Sequence, residues 1–448
     1  MSLPGPVERA LERIGWGKYQ TRLYFNCLAG VTTSMIWTET TSIMMYKSKD
    51  LEGILKTLVP MSLNLGTLLG CYLFSYLIGY LGRAPVYRNT IIVTALGGMI
   101  ISIFPYEYVI LIGLLIIGFG IGGDMTLSST VLMESIPPSN MRVITMLNIG
   151  YSFGTGLAIG VAIIIEAVYF ASVPDWVILI WMGTLFSGIL IWLRKGILES
   201  PMYLHSKGDL RLEAVMQQIA KINGKNHTNV SLDESRKPEG EVHVEREKNL
   251  ISVFKRPYIT ATLVQSIQYL TCNFAYFGMI LFMPMILPET STLESYTVIL
   301  IQQLCGMAGC GLAAYMIYTP LGRRGTETLG FILAGFCMYP FMASDKLWII
   351  YTFSCLISCF LMIGSSTMYT HSQELYPTHI RGIGVGWLTG MCLMTSVITP
   401  PIIGILQELV GNFLVLGLCG ACFFIAGSLS YLLPETLSAR EVYIENNI

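Results

Sequence analysis

Charge is scarce in this chain, and that scarcity excludes most soluble classes. Of 448 residues only 12% are Asp, Glu, Lys or Arg, while 53% are hydrophobic and mean hydropathy is +0.61; an ordinary soluble domain carries about 25% charged residues. The formal net charge is −1, so there is no basic excess to neutralise phosphates, and a nucleic-acid partner is excluded. The five histidines are scattered. No Gly-Lys-Ser/Thr loop that cradles phosphate is present, and no enzyme constellation, metal set or cofactor motif emerges. The N-terminal residues do not read as a cleavable signal peptide. Gly118-Phe-Gly-Ile-Gly-Gly123 meets the dinucleotide pattern loosely, but no strand precedes it and it reads as membrane packing.

What the chain has instead is long apolar runs. A span of hydrocarbon takes about 20 helical residues, and twelve segments qualify: 20–46, 55–81, 89–104, 108–136, 143–170, 176–193, 259–287, 296–318, 328–342, 348–375, 382–409 and 412–433. The third and ninth are short. Eleven cysteines lie mostly within such runs, as Cys305 and Cys310 do, and read as small packing residues. Glycine pairs four apart (Gly66/Gly70, Gly150/Gly154, Gly156/Gly160, Gly386/Gly390) suit close helix contact.

The runs carry an internal repeat. Gly82-Arg83 recurs as Gly322-Arg323, and Glu134-Ser-Ile-Pro137 recurs as Glu374-Leu-Tyr-Pro377, both 240 positions later. This predicts an all-α membrane protein of two pseudo-repeated six-helix bundles, the usual construction of a secondary transporter. The chain divides into an amphipathic N-terminal segment (1–19), an N-terminal bundle (20–193), a linker with a surface helix (194–255), a C-terminal bundle (256–433) and a tail (434–448). Residues 208–223 have helical spacing, while 224–249 are charge-rich and read as a linker.

Basic residues set the expected orientation. Arg9, Arg13, Lys18 and Arg22 precede the first span; Arg83, Arg88, Arg142, Arg323, Arg324, Arg381 and Arg440 fall on the same side with the central loop. Both termini should therefore face the cytoplasm, or the matrix of an organelle. The glycosylation patterns at Asn226 and Asn229 sit in that loop and read as coincidences. The first helix, from Val7 to Trp16, is expected to lie on the membrane surface.

Further motifs carry a resemblance. After the sixth span comes Leu198-Glu-Ser-Pro-Met-Tyr-Leu204, and after the twelfth Leu433-Pro-Glu-Thr436. Together with the repeated Gly-Arg and Glu-x-x-Pro motifs, the whole chain resembles the major facilitator superfamily, in its sugar-porter-like and organic-ion-like branch. Ala10–Gln20 and Phe274-Ala-Tyr-Phe-Gly278 look most like the synaptic-vesicle-glycoprotein-2-related and niacin-transporter-like group. The resemblance implies a major facilitator fold and a charge layer of Arg83, Glu134, Arg142, Glu199, Arg323, Glu374, Arg381 and Glu435 that latches one bundle against the other at a cytoplasmic gate. Arg142 and Arg381 are the cations nearest the two glutamates in sequence. The sequence departs from the family at Gly79, Tyr80, Thr319 and Pro320, where an Asp-Arg pair is usual, and at Leu114 and Met202, where Arg is usual.

Ionisable groups within spans are costly, about 2.5–3.5 kcal/mol on insertion scales, so each calls for a stated role; Glu166, near the outer end of the fifth span, reads as reaching the interface. Glu39 leads, as a carboxylate able to pair with a cationic solute or carry a proton, and Asp124 follows. Asn148, Tyr151, Gln265, Gln268, Asn273, Tyr276, Gln302 and Trp387 can complete an amphipathic pocket, each being equally suited to helix packing. His371, one turn before Glu374, reads as a structural hydrogen-bonding residue. Two functions follow: a secondary transporter of a small cationic or zwitterionic organic solute by alternating access, or a transport-deficient relative serving as a subunit of a larger membrane complex. The first needs lipid and a solute as partners; the second needs protein partners.

Overall fold

The computed structural model describes residues 6–47, 54–104, 106–168, 175–225, 250–286, 292–344 and 346–436. All regular structure among them is helical, as expected of a backbone that must satisfy its own hydrogen bonds in hydrocarbon. Helix α1 (Pro6–Ile14) precedes α2 (Lys18–Lys47), α3 (Ile54–Leu81), α4 (Arg83–Ile103), α5 (Glu107–Met133), α6 (Arg142–Leu147), α7 (Ile149–Val168) and α8 (Asp175–Leu193). After α9 (Pro201–Lys207) and α10 (Arg211–Ile222) come α11 (Ile259–Ile286), α12 (Thr292–Met316), α13 (Gly322–Ala343), α14 (Leu347–Leu375) and α15 (Thr378–Leu429). Helices α6 and α7 form one span broken at Asn148. Two spans lie in α15, because Gly411 at φ +79° leaves the helical path. The described residues thus supply the twelve spans, six before the central connection and six after it.

Ten of these are apolar enough to cross a membrane by composition. Of the other two, α2 has its apolar run diluted by Asn26, Glu39 and several threonines, while the last residues of α11 have side chains outside the description. The third and ninth spans are not short. Helices α4 and α13 run 21 and 22 residues, because Gly82 (φ +99°) and Gly322 (φ +63°) turn the chain so that Arg83 and Arg323 enter the first helical turn.

Close backbone approach follows the glycines in part. A Cβ on Gly66 or Gly70 would lie 2.1 or 2.0 Å from carbonyl oxygens of α5, and one on Gly122 2.0 Å from Thr67 O. Substituents at Gly154 and Gly386 would likewise strike Thr32 O at 2.4 Å and Ser75 Oγ at 2.2 Å. Gly156 and Gly160 do not follow the expectation: their nearest neighbours stand 3.7 Å away or beyond 4 Å.

The halves meet along two seams, α3 against α15 and α7 against α12. Helices α2 and α11 share no comparable seam; α2 packs on α7, α8 and α5, and α11 on α15. Helix α1 buries Val7, Ala10, Leu11 and Ile14 in the N-terminal core, so its apolar face is covered by protein. The surface helix expected over 208–223 is α10, whose approach is fixed by Asp209 accepting from the Arg211 amide at 2.9 Å. The Arg211 guanidinium hydrogen-bonds the Asp209 carboxyl and holds it down at about 2. Most of the charged linker, both glycosylation patterns and Arg440 fall outside the described residues. The described cysteines are free, Cys419-Gly-Ala-Cys422 included, and that pair packs within the last span.

Candidate functional site

Two matched charge clusters close one end of the bundle. Arg83, in the first turn of α4, grips Glu134 at the end of α5 with two hydrogen bonds, Nε to Oε2 at 3.1 Å and Nη2 to Oε1 at 3.2 Å. Glu199 accepts from the Arg83 and Ala84 amides at 2.7 and 3.1 Å, satisfying helix N-terminal donors. Ser200 Oγ donates to Glu134 at 2.7 Å. In the second half Arg323 grips Glu374 through two 3.2 Å bonds, and Glu435 accepts from the Arg323 and Arg324 amides at 3.1 and 3.0 Å. Thr436 takes the place of Ser200 and donates to Glu374. Gly82 and Gly322 are required here, since a Cβ on either would meet Glu199 or Glu435 within 2.6 Å.

These pairs correct the expected wiring. Each Glu-x-x-Pro carboxylate makes its bidentate pair with the arginine of its own half, Arg83 or Arg323, fifty-one residues away in sequence. The doubled pairs therefore stiffen each half. Other groups cross the seam. Arg381 Nη1 comes within 4.0 Å of Glu134 Oε1 while its Nε donates to the Gln373 and Tyr376 carbonyls. The Arg142 amide donates to Tyr318 Oη at 3.1 Å, and the Tyr318 ring is faced by both Arg142 (5.0 Å) and Arg323 (5.2 Å). Gln373 donates to Ser129 at 2.7 Å, and Thr145 meets Thr370 at 2.8 Å. The halves are joined at this end.

Inside the charge layer each half holds a buried polar cluster. Asp124 does not open onto the space between the halves: it pairs with Arg194 Nη1 at 2.7 Å, accepts from Thr90 at 3.3 Å, and both partners of the pair are about 1% exposed. Arg194 also lies 3.9 Å over the Tyr87 ring. Gly30 leaves room for this pair; its Cβ would fall 2.4 Å from atoms of both residues. In the second half Gln268 donates to Glu327 and, at 3.1 and 2.9 Å, to the Ala426 carbonyl and Ser430 Oγ, so it belongs to the interior of that half. Glu327 faces His371 Nδ1 at 3.1 Å, and His371 Nε2 faces the Pro434 carbonyl at 3.0 Å. Gln302 likewise stays inside the second half, donating to Ser354 at 2.7 Å.

The remaining candidates gather nearer mid-membrane. Glu39 is half-buried beside Thr155 of α7, and Tyr276 of α11 lies within electrostatic reach of it. Among the described residues no lysine or arginine pairs with Glu39. One turn along α7, Tyr151 stacks on Tyr369 (6.1 Å), which meets Tyr269 edge-on (5.6 Å). Asn273 bonds Tyr269 O and Cys392; Trp387 donates to Ser266; Asn148 bonds Thr145 O at the α6–α7 break. Gln265 is fully buried, yet neither of its polar atoms has a protein partner. An orphaned buried amide is rare in a settled core and is expected where a ligand or water completes it. Sequence reasoning missed several residues, among them Arg194, Tyr318, Tyr369 and Glu327. Tyr369 gives no sign beyond aromaticity. Glu327 was legible as an acid one helical turn after Arg323, had the helix been started at Gly322.

The model of the family described as "Sugar (and other) transporter" matches residues 25–440. The chain belongs to the sugar (and other) transporter family. Among its relatives, the putative niacin/nicotinamide transporter NiaP of Bacillus subtilis is 26% identical over 77% of each chain. The synaptic vesicle 2-related protein of Xenopus laevis is 24% identical over 96% of this chain and 81% of its own. The solved structure of the proton:xylose symporter XylE bound to 6-bromo-6-deoxy-D-glucose superposes with a TM-score of 0.77 at 17% identity, covering 93% of this chain and 96% of that one. This family member therefore has the major facilitator fold, and it is a multi-pass membrane transporter of organic solutes rather than an enzyme.

Proposed function

We propose that this protein is a secondary transporter of a small aromatic organic solute, cationic or zwitterionic, moved by alternating access between its halves. The observation that carries the reading is Glu39: a half-buried carboxylate with no basic partner among the described residues, set on the polar first helix beside tyrosines contributed by both halves. A buried carboxylate is costly until a cation neutralises it, and aromatic faces favour planar cations. The orphaned amide of Gln265, one helical turn before Tyr269 on α11, supplies directional hydrogen bonds. Kinship to a protein named for niacin and nicotinamide makes pyridines the first chemistry to test. The charged end, with Arg381 and Tyr318 crossing the seam, is the cytoplasmic gate in its closed state. The transport-deficient subunit reading gains no specific support, since the Arg-Glu pairs of both halves are formed despite the departures at Gly79, Tyr80, Thr319 and Pro320.

The test is uptake into proteoliposomes from a panel of pyridinium cations, zwitterionic N-methylpyridinium carboxylates, nicotinamide and nicotinate. Uptake of the first two classes, abolished by Glu39→Gln in a protein that still purifies as a folded species, supports the reading. Equal uptake by the variant sinks the assignment of Glu39.

A further inference from the structure

We propose that Glu327 and His371 form a proton-binding site in the second half, and that occupancy of this site controls the hold of the Pro434–Glu435 segment on the gate. The argument is one of donors and acceptors. His371 Nε2 faces a carbonyl, which can only accept, so in the assembled state this nitrogen carries hydrogen. Nδ1 faces Glu327 Oε2, while Glu327 Oε1 already accepts from Gln268 Nε2. Both contacts of the ring are then satisfied when one proton lies between Nδ1 and Oε2, on either partner. Remove that proton and the neutral imidazole keeps a single N–H for two acceptors. Either its lone pair meets the Glu327 carboxylate, or it meets the Pro434 carbonyl; one contact is lost in each case.

Among the described residues no other group nearby replaces that proton. Both side chains are fully buried. The groups facing them are Gln268, Tyr269 and Cys272 on α11, Ser430 after α15, and Glu374 one turn further along α14. The two cations of α13 are engaged elsewhere, Arg323 by Glu374 and Arg324 by the carbonyl and ring of Tyr431. A buried carboxylate without a counter-charge is strongly disfavoured, so proton loss must be relieved by movement.

The contact at stake leads directly to the gate. Pro434 is followed by Glu435, which closes the N-terminus of α13, and by Thr436, which holds Glu374. Release of the Pro434 carbonyl thus loosens the cluster that stiffens the second half. The proton delivered to this site and the solute bound between the halves then share one conformational change, which is the requirement for symport.

Two experiments test the assignment. The first needs no solute: pH-difference infrared spectra of the full chain in lipid, for the wild type, Glu327→Gln and His371→Gln. A titrating carboxyl band that is lost in Glu327→Gln and displaced in His371→Gln supports the site. A Glu327→Gln spectrum identical to the wild type overturns it. The second rests on the transport reading. One coupled proton converts each pH unit of gradient into about tenfold solute accumulation. That accumulation should collapse to simple equilibration in Glu327→Gln, with counterflow at equal pH reporting the solute step separately; retained accumulation overturns the coupling. If no solute moves in the wild type, the proposed function fails while the infrared result still decides the proton site.

Discussion

The two halves agree at their charged ends and part company just inside them. Arg83, Glu134, Glu199 and Ser200 are matched by Arg323, Glu374, Glu435 and Thr436, down to the helix amides each carboxylate receives. Deeper in, position 87 is tyrosine and its repeat, 327, is glutamate; Asp124 is answered by Gly364. The first half therefore closes its buried acid with Arg194, whose guanidinium never loses its proton. The second closes its acid with a histidine, which does. One half has a permanent lock where the other has a titratable one.

The contrast can be broken most forcefully at Arg194. Removing it in Arg194→Met strands Asp124, about 1% exposed, and should cost about 3–5 kcal/mol. His371→Gln should cost only about 0.5–1.5 kcal/mol, the net worth of a hydrogen bond, because the remaining glutamate can take up a proton. Thermal unfolding monitored by fluorescence-detected size exclusion measures both, and equal losses would erase the distinction.

At the charged ends the halves should respond alike, but not identically. Arg323→Ala removes the bidentate partner of Glu374 at about 1.5–3 kcal/mol, the scale of hydrogen bonds to charged groups. Arg83→Ala should cost less, because Arg381 still stands 4.0 Å from Glu134. The same unfolding assay ranks them; a larger loss for Arg83→Ala contradicts the crossing contact. The smallest effect is expected at the seam. Tyr318→Phe keeps the ring between Arg142 and Arg323 but loses the hydroxyl that accepts from the Arg142 amide, about 0.5–1.5 kcal/mol. Its counterpart in the first half is Ile78, so no equivalent loss exists there.

The sequence carried the architecture well, because span length, the 240-residue repeat and the glycines of α3 and α5 are local signals. It carried the charge layer as a set of residues and misjudged the pairing. Arg142 lies eight positions after Glu134, whereas Arg83 lies fifty-one before it, and only the fold brings the distant one closer. Asp124 and Gln268 were read as facing a pocket because helical spacing gives a face without naming what covers it. Glu327 went unread for a different reason. Starting the ninth span at Thr328 left it outside the membrane by one residue, where an acid needs no explanation.

The placement of Glu199 and Glu435 has a consequence for how the chain is made. Each carboxylate follows the sixth span of its own half and reaches back to cap the N-terminus of the third. The first half can thus finish its clasp once residue 200 has left the ribosome, long before α11 exists. The second waits for residues 434–436, so insertion of its final helix and completion of its clasp are the same event. A released chain truncated after Leu433 has every span and an open clasp on one side only, a defect that presents as an unsealed helix end rather than as a missing helix.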